Sequence, residues 1–333
     1  MIELDKLFIH GRYYYDGNLY LYNTASGIEF SFLGKKVIIT LKADSRQLDR
    51  AWMRLIIDND DKNAVDIKFG PQNQEITLYE SIDNEIHNLK LLKVSEAIES
   101  HVIVSDLVLD GVFLDKPIYK DTFLVLGDST VSAYGNLGEI NDLKTLDDTD
   151  GLRGFAYLTC KEFNASMNSL NGSGWGVAFS PWTTPKRSSL LSFYDKVAPL
   201  DNHLFDVKSI NPRYIIISLG TNDYHYIFND FDDIKNEKEK LDEFRQTYHQ
   251  LLVKLADDYP KAKIIMVYGV MLTTPNLEIM HQIYLDNKDD FNLYELASLG
   301  DGLGIGTHPS AASHSHVACD LIKLIKEIEN EKY

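Results

Sequence analysis

The chain of 333 residues carries 33 Lys and Arg against 50 Asp and Glu, a formal charge of −17, with 44% hydrophobic and 25% charged residues. That length suggests two domains, and the composition is ordinary for a chain with a packed core, so global disorder is excluded. The acidic surplus argues against nucleic acid or an anionic membrane as partner, and no apolar run approaches the ~18 residues of a membrane span.

The start, Met-Ile-Glu-Leu-Asp-Lys, lacks the basic and apolar stretches of a secretory signal, so a cytoplasmic protein is expected. Residues 1–117 then read as a series of short strands. Segments 28–32 (Ile-Glu-Phe-Ser-Phe) and 65–69 (Val-Asp-Ile-Lys-Phe) alternate with period two. Runs at 37–41, 52–57, 76–79, 89–94 and 102–109 continue the series, parted by turn residues such as Asp16-Gly17, Leu33-Gly34, Asn59-Asp60-Asp61 and Gly70-Pro71. This predicts an all-β domain, a jelly roll or β-sandwich.

Past Pro117 the rhythm lengthens. Buried-strand runs at 123–126, 214–219 and 264–268 alternate with helical patterns at 152–163, 238–259 and 311–329, and Pro260 ends the long helix. Residues 118–333 therefore read as an α/β domain with a parallel sheet covered on both faces. The acid-rich stretch 230–243 reads as a solvated surface and helix entry. Cys160 and Cys319 fall in amphipathic helical segments and read as buried free thiols; no Cys-x-x-Cys or zinc spacing is present.

In an open parallel sheet, ligands sit beyond the C-terminal ends of the strands. The first run is followed by Gly127-Asp128-Ser129 and the second by Gly220-Thr221-Asn222-Asp223. A glycine-rich loop, Asn171-Gly172-Ser173-Gly174-Trp175-Gly176, lies between them, and Asp301-Gly302-Leu303-Gly304-Ile305-Gly306-Thr307-His308-Pro309 precedes the last helix. Singly these are turns and helix caps. Converging on one rim, they supply acyl transfer: Ser129 as nucleophile, His308 as general base and then acid. The backbone N–H groups of Ser129 and Gly174 and the amide of Asn222 would hold the oxyanion, each donor worth about 10²–10³ in turnover.

With these residues in order, the sequence resembles an SGNH (GDSL-type) hydrolase, and more narrowly carbohydrate esterase family 2. The likeness rests on Ser26-Gly27-Ile28-Glu29-Phe30, Gly127-Asp128-Ser129, Ser173-Gly174-Trp175-Gly176, Gly220-Thr221-Asn222-Asp223 and His308-Pro309-Ser310, and covers nearly the whole chain. It implies an N-terminal β-sandwich (jelly roll) ahead of a flavodoxin-like SGNH domain. It also implies removal of acetyl groups from cell-wall polysaccharides such as xylan and glucomannan, often at the 6-position. One position departs. Such enzymes usually place an Asp three residues before the His, and here that residue is Ile305, with Gly306 next and Asp301 seven back. Members of the resembling family work with a Ser-His dyad whose imidazole is held by a backbone carbonyl, and a dyad is the expectation here.

Tyr134, Trp175, Trp182, Tyr224 and Tyr226 cluster around these blocks, with Trp175, next to the oxyanion glycine, and Tyr224 the leading candidates for stacking on a sugar. Rival signals are weaker. Gly302-x-Gly304-x-Gly306 lacks the strand, helix and downstream acid of a dinucleotide loop. His314-x-His316 would split between helix faces, and Val131 breaks the Gly-x-Ser-x-Gly elbow. The reading is a serine esterase that deacetylates mannan, glucomannan or xylan oligosaccharides, needing no metal or organic cofactor. Its partner is an acetylated oligosaccharide or polysaccharide; nucleic acid and membrane are not partners, and the oligomeric state stays open. The alternatives are an SGNH esterase or acyltransferase for another acyl group, and a carbohydrate-binding protein with a vestigial site.

Overall fold

The computed structural model describes residues 2–45, 50–184, 186, 188–229, 235–271, 274 and 276–330. Among these, eight strands form the first sheet: β1 (Phe8–His10), β2 (Tyr13–Tyr15), β3 (Leu19–Leu21), β4 (Gly27–Ser45), β5 (Ala51–Ile57), β6 (Val65–Phe69), β7 (Gln74–Lys93) and β8 (Ser100–Phe113). They pair antiparallel in the order β2-β3-β8-β4-β7-β5-β6, with β1 on β4. Inward residues of β3, β4, β5, β7 and β8 meet in one core around Phe30, Phe32, Leu89 and Val102. The N-terminal part is all-β, as expected.

The runs at 28–32 and 37–41, read as two strands with a turn at Leu33-Gly34, are one strand. Against β8, a register shift between Gly34 and Lys36 adds a residue to β4, so the buried positions change parity, from Phe30 and Phe32 to Val37, Ile39 and Leu41. An inserted residue breaks a period-two pattern and imitates a turn. The run at 76–79 and most of that at 89–94 likewise lie within β7, joined by a largely solvent-facing stretch.

The second sheet comprises β9 (Asp121–Gly127), β10 (Ala165–Asn171), β11 (Tyr214–Ser218), β12 (Lys263–Tyr268) and β13 (Leu293–Ala297), all parallel, in the order β10-β9-β11-β12-β13. Counted from its own first strand this is 2-1-3-4-5, the flavodoxin-like order, whose direction reverses between the first and third strands. Beyond the ends of β9 and β11 there is accordingly a crevice. Six helices accompany the sheet among the described residues: α1 (Ser129–Ser132), α2 (Phe155–Glu162), α3 (Thr221–Phe228), α4 (Glu237–Asp258), α5 (Leu277–Asn287) and α6 (Ala311–Asn330). Leu124, Leu126, Ile215 and Ile217 pack with Phe244 and Leu251 of α4. Phe123, Val125 and Ile216 pack with Cys160 of α2 and Leu321 of α6. Alternate strand residues thus feed two cores, which is why these strands read as unbroken apolar runs.

Sequence periodicity missed β10, β13, α3 and α5. In β10 the reason is plain: Ala-Ser-Met-Asn-Ser-Leu-Asn is buried throughout, and two of its polar side chains, Asn168 and Ser169, find partners in the first domain. Arg12 Nε donates to Asn168 Oδ1 (3.4 Å) and Ser169 Oγ to the Thr24 carbonyl (3.1 Å). The seam between the sheets is itself a core, where Ala25, Trp52, Leu92 and Val94 join Phe123 and Phe155. Arg12 is fully buried there and its Nη1 donates to the carbonyls of Tyr194 and Lys196, both at 2.6 Å.

Cys160 is buried, but Cys319 is exposed and the buried-thiol expectation fails for it. The inward stripe of α6 runs through Val317, Ala318, Leu321 and Ile325, which leaves position 319 facing out. Of the acid-rich stretch, residues 230–234 lie outside the described residues. The remainder enters α4, which Asn236 caps by accepting from Glu239 N at 3.0 Å.

Candidate active site

Gly127 ends β9, and a Cβ on it would fall 2.1 Å from Val131 Cγ2, so only glycine allows the chain to turn so tightly into α1. Asp128 caps that helix, its Oδ1 accepting from Thr130 N and Thr130 Oγ1, each at 2.9 Å. Ser129 is thereby set in the first turn, 8% exposed, with its Oγ 2.9 Å from His308 Nε2.

His308 follows a turn at Ile305–Thr307, and its Nδ1 lies 3.1 Å from the Ile305 carbonyl oxygen. A carbonyl can only accept, so Nδ1 carries the hydrogen and the Nε2 lone pair faces Ser129. The Ile305 side chain is packed against Gly135 and Gly138, and Ile305 N donates to the Gly135 carbonyl (3.1 Å). Position 305 therefore serves packing with its side chain and the histidine with its backbone. Asp301 is exposed; its backbone N–H donates to Ser313 Oγ (3.0 Å), and its Oδ1 accepts from the same hydroxyl (3.4 Å). The geometry is that of a dyad. Burial holds the His308 pKa below its ordinary value, opposed by the Ile305 and Gly306 backbone and reinforced by Lys144. The imidazole is thus neutral, and able to take a proton, at pH 7.

Opposite the histidine, Gly174 has φ +83°, a conformation that favours glycine, and a Cβ there would lie 3.0 Å from Trp182 Cβ. Asn222, in the first turn of α3, donates from Nδ2 to the Trp175 carbonyl (2.9 Å) and to Asp128 Oδ2 (3.1 Å). Both partners are acceptors, which fixes the amide with its NH₂ on the side of Asp128 and the Trp175 carbonyl. An oxyanion would share these hydrogens. Asp223, named in the block above without a role, anchors the next part of the loop. Its Oδ1 accepts from Ala178 N (2.7 Å) and Phe179 N (2.8 Å), its Oδ2 from Val177 N (2.9 Å). Burial pushes the carboxyls of Asp128 and Asp223 up to about 6, against the pull of those N–H donors. An acid placed directly after the asparagine was the only sequence signal for this anchor.

The aromatic assignments need correction. Trp175 borders the cleft but is only 5% exposed, its ring edge-on to Phe193 at 4.6 Å in the core, so it presents little surface on which a sugar could stack. The left-handed turn at Gly174 sends the following side chain inward. Tyr224 packs on Phe228 at 4.7 Å and does not line the cleft; Tyr226 is buried and stacked on Phe179 at 4.5 Å. The aromatics that line it are Tyr134, whose ring lies 4.6 Å from that of His308, Trp182, 63% exposed, and the little-exposed Trp175. With Ser129, His308, Gly174 and Asn222 they border a cleft of about 780 Å³. His314 is buried and accepts from Phe155 N at 3.4 Å, whereas His316 is exposed and lies 3.4 Å from Asp320, so the pair does not converge.

Residues 123–301 match the family model for GDSL-like lipases and acylhydrolases. The chain belongs to that family. Residues 9–117 match the carbohydrate esterase 2 N-terminal model. The chain is 26% identical over 92% of its length to a cellulase/esterase, CelE, of Acetivibrio thermocellus, and 28% identical over 72% to an acetylxylan esterase/glucomannan deacetylase of Cellvibrio japonicus. It spans only 37% and 65% of those relatives. A family two carbohydrate esterase from Clostridium thermocellum, solved with cellohexaose, shares the fold with a TM-score of 0.85 at 24% identity, over 97% of this chain and 99% of that one. The GDSL-like match holds Ser129, Gly174 and Asn222; His308 lies just past its end.

Proposed function

We propose that this GDSL-like acylhydrolase is a serine esterase that removes O-acetyl groups from hemicellulose oligosaccharides of the mannan, glucomannan or xylan type. The reading rests on the 2.9 Å approach of His308 Nε2 to Ser129 Oγ at the floor of the cleft. In it, Nε2 takes the Ser129 proton as Oγ attacks the acetyl carbonyl. The resulting oxyanion is met by the N–H groups of Ser129 and Gly174 and the Asn222 amide. Collapse expels the sugar oxygen, which takes the proton from His308. Water then repeats the sequence on the acetyl-enzyme, releasing acetate and restoring Ser129.

Two observations support a saccharide as the alcohol. None of the described residues lining the cleft is Asp, Glu, Lys or Arg, which suits an uncharged sugar ester. The exposed Trp182 also stands beside Gly174, where a ring face could meet a pyranose. The relatives' names point the same way. Acetate release from acetylated mannan and xylan oligosaccharides, with the position lost followed by NMR, tests the proposal; no release from any acetylated glycan would overturn it. Trp182→Ala is expected to raise KM for such oligosaccharides about tenfold, the equivalent of ~1.4 kcal/mol. Turnover of a small aryl acetate should stay nearly unchanged, and equal losses on both substrates would remove Trp182 from the sugar site.

A further inference from the structure

Between β7 and β8, the first domain makes a turn whose Glu96 side chain is fully buried. Its Oε2 accepts a hydrogen bond from Ser173 Oγ, and Ser173 directly precedes Gly174. In Gly172-Ser173-Gly174 the serine carries the one side chain by which the loop can be held, for both flanking residues are glycines. The turn that holds it is itself fixed. Lys93 Nζ donates to the carbonyls of Ser95 (2.6 Å) and Glu96 (2.9 Å), and Glu99 pairs with Lys144. Lys144 lies 5.1 Å over the ring of Tyr134, which packs on His308. Ile98, in the same turn, lines the cleft.

We propose that Glu96 is a positioning residue: by holding the Ser173 hydroxyl, a buried carboxyl group of the first domain fixes the Gly174 N–H where the oxyanion forms. This rests on the acyl-transfer reading above. Burial, with Glu99 beside it, pushes the Glu96 carboxyl up to about 7. In either protonation state one oxygen can accept the Ser173 hydrogen, so a neutral amide can take its place.

The test uses the full chain and the variants Glu96→Ala, Glu96→Gln, Ser173→Ala and the Glu96→Ala/Ser173→Ala pair, with thermal melts as a folding control. Glu96→Ala and Ser173→Ala should each lower kcat on an aryl acetate about 10²-fold with KM little changed, the loss of roughly one oxyanion donor. Glu96→Gln should keep most of the activity, and the double variant should be no worse than either single one. Amide exchange over residues 172–176 should quicken about tenfold in both alanine variants and be restored in Glu96→Gln. Additive losses, a rise in KM alone, or unchanged exchange would overturn the tether. If Glu96→Ala does not fold, Ser173→Ala carries the same comparison. If the parent chain cleaves no ester, the esterase reading fails, and the exchange data alone decide whether Glu96 holds the loop.

Discussion

Ser129→Ala is expected to lower kcat for acetyl-ester cleavage by about 10⁴–10⁶ while leaving oligosaccharide affinity almost unchanged. The substitution removes one oxygen from the first turn of α1, a site 8% exposed, and disturbs neither Gly174 nor the Asn222 hydrogen bonds. What disappears is the hydroxyl whose proton His308 receives. Acetate release and binding calorimetry on one acetylated oligosaccharide read the two quantities separately. A binding protein with a vestigial site would show no turnover to lose. Persistent acetate release from the variant would mean that another group attacks the ester.

The second large effect separates two residues near the C-terminus. His308→Ala should remove about 10⁴ or more of turnover, whereas Asp301→Asn should cost at most a few-fold. In this structure Asp301 contacts Ser313, and the imidazole is oriented by the Ile305 carbonyl. A carbonyl sets the tautomer but stabilises the imidazolium less than a carboxylate does. An ester tolerates that loss because its alkoxide leaves readily. Comparable losses in the two variants would make Asp301 the missing acid. The pH profile adds a sign. Only neutral His308 accepts the serine proton, so kcat/KM rises as the imidazolium deprotonates. Burial sets that step below the ordinary 6.5, so the rising limb should lie on the acid side and the profile be flat through pH 7.

The four chemical blocks were legible because each follows a strand end or precedes a helix, where short polar residues and glycines stand out against apolar runs. The strand order placing β9 beside β11 was not written locally, but two buried runs followed by Gly-Asp-Ser and Gly-Thr-Asn-Asp announced the switch point between them. Side-chain direction was not legible. Trp175 and Trp182 are both tryptophans near the oxyanion loop, yet one is buried and the other exposed, a difference that packing sets and no local pattern encodes. Nor was β10, whose Asn168 and Ser169 are met by Arg12 and Thr24 from far along the chain. Asp223 and Glu96 were hidden in the same way: each acts on a loop distant in sequence, through contacts that no local pattern encodes.

Arg12 gives the seam a thermodynamic meaning. Parting the two sheets would strip a buried guanidinium of the Tyr194 and Lys196 carbonyls and lay bare Trp52, Leu92 and Val94. A naked apolar face is costly in water, so the halves should melt in a single transition. The first domain is then not a portable appendage. Grafted onto another catalytic partner, it would bring a stranded positive charge and a sticky surface with it.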